Sequence, residues 1–114
     1  MASLSMAGTG NAANIAELLA HEIQGSGMSV QMVDSIYRPV ADGGVCIMVF
    51  EKYYWRASNR ASLTVVVSGE GGSVYVDAIG SGGGQGPLFK FSWGAEEDFV
   101  GLVADILAGQ GFAY

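Results

Sequence analysis

Hydrophobic and polar positions change period several times along the chain, and those changes mark its elements. Asn14 is an expected N-cap, with Glu17 three residues later as in a capping box, and Ile15, Leu18, Leu19 and Ile23 then form one apolar stripe at helical spacing. Gly25 and Gly27 stop that helix. Met28, Val30, Met32 and Ile36 alternate with Ser29, Gln31, Ser35 and Tyr37, predicting a strand that ends before Pro39. Asp34 falls on the apolar parity, so either a bulge turns it outward or a carboxylate points inward and needs a partner.

Asp42-Gly43-Gly44 is a turn signal, and Val45 to Phe50 is apolar on both faces, as a central strand would be; Glu51 to Arg56 continues it. After a turn at Ala57 to Arg60, Leu63, Val65 and Val67 face inward from the next strand, which Ser68 to Gly72 closes. Val74, Val76 and Ala78 alternate with Ser73, Tyr75 and Asp77, and Phe89, Phe91 and Trp93 repeat that period beyond the loop Gly80-Ser81-Gly82-Gly83-Gly84-Gln85-Gly86, so the two runs are expected to pair antiparallel. The period then returns to helical at Phe99, Leu102, Val103, Ile106 and Leu107, with Glu96, Glu97 and Asp98 opposing the positive end of the helix dipole and Gly109 and Gly111 ending the helix. Ala2 to Met6 alternates weakly; residues 1–10 are either a short edge strand or a flexible leader.

The expected fold class is α+β, in the order (β)-α-β-β-β-β-α. An antiparallel sheet of four main strands, with the N-terminal segment as candidate fifth, carries both helices on one face, because each helix has a single apolar stripe to cover. Residues 1–114 form one expected domain, a length that supports a core without staples.

Composition narrows the functions. The formal net charge is −6, which disfavours phosphate backbones and sets nucleic acid aside as a partner. Cys46 is the single cysteine, so there is no internal disulfide and no zinc framework of its own, and its apolar neighbours make it an inert buried side chain. No apolar run approaches a membrane span, and no basic region followed by an apolar segment opens the chain, so the expected location is cytoplasmic. His21 has no nucleophile placed beside it, and the glycine loop lacks the lysine and hydroxyl of a phosphate-binding loop, since Pro87 follows Gly86. An enzyme is therefore the least supported of the three classes weighed, and no cofactor, metal or catalytic residue is expected.

Two classes rank above it. The first is a structural or interaction subunit that forms a homo-oligomer through the sheet face the helices leave bare, with Tyr54, Val66, Tyr75, Ile79 and Leu88 as its expected contacts. The alternative is a binding module for a small anionic ligand. Lys52, Arg56 and Arg60 cluster in an otherwise acidic chain, and Arg56, Asn59 and Arg60 would meet Ser81, Gly82, Gly83, Gly84 and Gln85 if their turn and the glycine loop share one end of the sheet.

The segments Phe50 to Val65, Val76 to Gly86 and Phe89 to Glu97, above all the Asn59-Arg60 turn and the Ser81 to Gln85 loop, resemble a family of small uncharacterised bacterial proteins, a domain of unknown function mostly from Gram-positive anaerobes. The resemblance covers about the second half of the chain. It implies a β-α-β-β-β-β-α arrangement of the TATA-binding-protein-like fold class, and it implies no activity or site residue.

Overall fold

A computed structural model describes residues 2–27, 29–54, 59–82 and 95–114. Its elements follow the order β1 (Ala2–Thr9), α1 (Ala12–Gln24), β2 (Val30–Val40), β3 (Gly43–Tyr54), β4 (Asn59–Glu70), β5 (Ser73–Gly82) and α2 (Ala95–Ala108). The strands form one antiparallel sheet in the order β1-β5-β4-β3-β2. The N-terminal segment is thus a full edge strand. It occupies the second edge of β5 from Ser73 to Gly80, with β4 on the other. Among the described residues the neighbours of β5 are therefore β1 and β4; the run at 89–93, expected to pair with it, lies outside the described residues.

Both helices lie on one face. α1 packs on β2, β3 and β4, α2 packs on β1, β4 and β5, and the two touch side by side. Alternation supplies the layer between them: Leu63, Val65, Val67, Val74 and Val76 are fully buried beneath Leu19, Ile23, Val103 and Leu107. Phe50 and Met48 continue that layer in β3. Cys46 is buried in the same face, and that burial raises its thiol pKa above the ordinary value.

Several boundaries move from their expected places for local reasons. Asn11, not Asn14, caps α1, its side chain accepting a hydrogen bond from the Asn14 amide at 3.1 Å. The β2–β3 turn is Ala41-Asp42, with Asp42 in the left-handed region at φ 63°, so Gly43 and Gly44 belong to the strand. The β4–β5 turn is Gly71-Gly72, both at positive φ, which suits a two-residue hairpin. Pro39 sits inside β2, where an edge strand can spare its missing amide.

The open question at Asp34 is resolved by a bulge. The register between β2 and β3 shifts between Met32 and Asp34, leaving Val33 as the extra residue. Asp34 turns outward, and its carboxylate accepts from the Ser35 amide at 2.8 Å. Everything after the bulge changes face. Ile36, expected inward, pairs with Ile47 on the face away from the helices and is 59% exposed, while Tyr37 crosses to the helix side, against Gly44.

The chain ends by closing over its beginning. Gly111, at φ 84°, ends α2: its amide donates to the Ala108 carbonyl and the Phe112 amide to that of Leu107. Phe112 then lies buried against β1, and Ala113 exchanges both backbone hydrogen bonds with Ala7. A Cβ on Gly8 would stand 2.6 Å from the Phe112 ring, so the strand must be bare there. Gly8→Ala is expected to destabilise the protein by about 1–3 kcal/mol in denaturant unfolding, and by much less in a Phe112→Ala background, where the obstruction is gone.

Candidate functional site

The end of the sheet where β4 begins and β5 finishes was the expected anion site. Pairing of Ala61 with Gly82 brings Asn59 and Arg60 to the same end as Ser81 and Gly82, as that reading required. Arg56, Gly83, Gly84 and Gln85 lie outside the described residues, so the cradle itself is not assembled by the described ones. What they show around Arg60 is a shallow depression of about 310 Å³ lined by Ser29, Gln31, Glu51, Tyr53 and Arg60. Glu51 is the telling member. Its carboxylate lies 3.8 Å from the Arg60 guanidinium, so an anion arriving there would meet a negative charge already in place. Both side chains are well exposed, and such pairs contribute roughly 0–1 kcal/mol.

The second candidate is the sheet face opposite the helices. Strand register lays it out in cross-strand rows. The central row, read β1 to β2, is Ser5, Asp77, Val66, Ile47 and Ile36. On one side of it runs Ser3, Ile79, Thr64, Val49 and Asp34, and on the other Ala7, Tyr75, Ser68, Val45 and Arg38. Val66, Tyr75 and Ile79 are where the sequence placed them. Leu88 lies outside the described residues, as does the side chain of Tyr54, whose backbone pairs with Asn59.

The pattern alone did not show the contribution of β2 and β3. Ile36, Ile47 and Val66 are direct cross-strand neighbours, with Val45 and Val49 beside them. Ile36, Ile47, Tyr75 and Ile79 are 40–59% exposed. A signal existed for β3, whose run from Val45 to Phe50 is apolar on both faces; the bulge hid the one for β2. Within the central row the Ser5 hydroxyl donates to Asp77 at 2.5 Å, and grooves flank Tyr75, one toward Val40 and Val45, the other toward Ser5 and Tyr114. Among the described residues no three His, Cys, Asp or Glu side chains converge where they could share a metal ion.

Comparison with known proteins adds a family. A model described as a family of unknown function, DUF6054, matches residues 1–110. The chain belongs to that family. The match runs from β1 through α2, so the edge strand as well as the glycine loop falls inside the DUF6054 region. No curated protein matches the chain.

The weakness of the Arg60 pair is directly measurable. Glu51→Gln is expected to change unfolding free energy by less than about 1 kcal/mol, an effect that shrinks further in molar salt.

Proposed function

We propose that this DUF6054 protein is an interaction module that self-associates through the open face of its sheet. The observation that carries the reading is contiguity. Ile36, Ile47 and Val66 adjoin one another across three strands, with Tyr75 and Ile79 on the next, so the apolar side chains form one surface instead of scattered points. Covering that surface removes apolar area from water, at about 25 cal/mol per Å².

The reading also carries finer expectations: a single domain over residues 1–114, a bacterial origin, the TATA-binding-protein-like fold class and a place in the cytoplasm. The observed β-α-β-β-β-β-α order supports the fold class. Among the described residues no helix is long and apolar enough to cross a membrane. The anionic-ligand alternative at Arg56, Asn59 and Arg60 ranks below self-association because Glu51 stands against Arg60.

Light scattering coupled to size exclusion tests the proposal. The wild-type chain is expected to elute at the mass of two copies across a micromolar dilution series. Ile47→Lys, at the middle of the patch, is expected to elute at the mass of one with an unchanged circular dichroism spectrum. A wild-type monomer at high concentration would remove the reading.

A further inference from the structure

Resting on the self-association reading, the layout of the open face also specifies how two copies meet. We propose that they stack face to face about a two-fold axis lying in the interface and running across the strands, through the row Ser5-Asp77-Val66-Ile47-Ile36, so that Asp34 of each copy meets Arg38 of the other.

Two opposite charges stand on the open face of β2. Asp34 and Arg38 both follow the bulge, so both project from the open face of the edge strand β2, and both are exposed. Four residues along a strand separate them by roughly 13 Å, too far to pair with each other. Arg38 has no ion-pair partner among the described residues. Ile36 lies midway between them. A two-fold operation centred on its row exchanges the two flanking rows, and an isologous interface must satisfy that exchange at every strand.

The exchange is satisfied strand by strand. On β2, Arg38 faces Asp34; on β3, Val45 faces Val49; on β4, Ser68 faces Thr64. On β5, Tyr75 faces Ile79, and on β1, Ala7 faces Ser3. Charge meets opposite charge, aliphatic meets aliphatic, hydroxyl meets hydroxyl and aromatic meets aliphatic. The other face-to-face axis, parallel to the strands through β4, fails this comparison: it sets β2 against β1, leaving Asp34 over Ser3 and Arg38 over Ala7, and puts Asp77 on Ile47. Aligned sheets cross at about 30° and stand about 10 Å apart, displacements that the long Arg38 side chain can span. The face is also large enough. Five strands about 4.8 Å apart, over three rows about 6.7 Å apart, present roughly 500 Å² per copy, or about 1,000 Å² for the two copies, at the lower end of what a specific interface buries.

One pairing in this arrangement is unfavourable. Asp77 lies on the central row, so it faces Asp77 of the second copy, and each carboxylate is held in place by Ser5. Removing that like-charge contact should tighten the dimer.

The test is the dimer dissociation constant of the full chain, measured by sedimentation equilibrium on the wild type and four variants, with circular dichroism confirming the fold. Asp34→Arg and Arg38→Asp are each expected to weaken association about tenfold or more, the combined exchange to restore it to within about threefold, and Asp77→Asn to strengthen it. A wild-type dimer indifferent to the single reversals would overturn this axis while leaving face-to-face association standing. Restoration by the exchange without any response to Asp77→Asn would overturn it in favour of edge-to-edge pairing of β2, where Asp34 also meets Arg38 but Asp77 is three strands away. A wild-type monomer would overturn both the axis and the self-association on which it rests.

Discussion

The fold depends on burying one face of a five-stranded sheet beneath two helices that lie side by side. Each helix is about 10 Å across, so the pair is matched to a sheet about 24 Å wide. The consequence is a layer of valine, leucine and phenylalanine with no solvent contact between Leu19, Ile23, Val103 and Leu107 above and β3, β4 and β5 below. Both helices of the described residues lie on that face, so the described residues leave the other face bare. What stands on the bare face is then a matter of strand parity, and parity is set by turns and bulges.

The two sheet edges are treated differently. β1 is closed by the chain's own end, where the Gly111 turn brings Phe112 onto Gly8 and Ala113 into hydrogen-bond register with Ala7. β2 has no such cover among the described residues. It is guarded by the Val33 bulge, Pro39 and exposed charges, devices that discourage another strand from adding to an edge. The bulge has a second effect: it moves Asp34, Ile36 and Arg38 onto the bare face. A single inserted residue therefore links the protection of the edge to the character of the surface proposed to carry function.

Much of this was legible in the chain. The period of two in Leu63 to Val67 and Val74 to Ala78, and the helical stripes at Ile15 to Ile23 and Phe99 to Leu107, identify elements whose burial the structure reproduces. The pattern signalled Asp34 as a place where something must give. Other features depended on partners that a local pattern does not contain. Asn11 and Asn14 are both acceptable caps, and the choice between them rests on a hydrogen bond from one to the other. The second neighbour of β5 is the strand farthest away in sequence, so a short loop made 89–93 the nearer candidate. Of the candidate sites, the meeting of Arg60 with the end of β5 could be anticipated, whereas Glu51, nine residues away and on another strand, could not be set beside Arg60 without the register. The same register turns Val66, Tyr75 and Ile79 from separate residues into one surface with Ile36 and Ile47.

Small-angle X-ray scattering over a concentration series tests face-to-face association most directly, because it reads mass and shape together. One chain of 11.8 kDa measures about 47 × 25 × 22 Å. Stacking through the open face predicts a particle of two chains that thickens along a short axis and keeps its long axis near 47 Å. A particle of one chain at every concentration, or of two chains grown mainly along the sheet, would contradict the account.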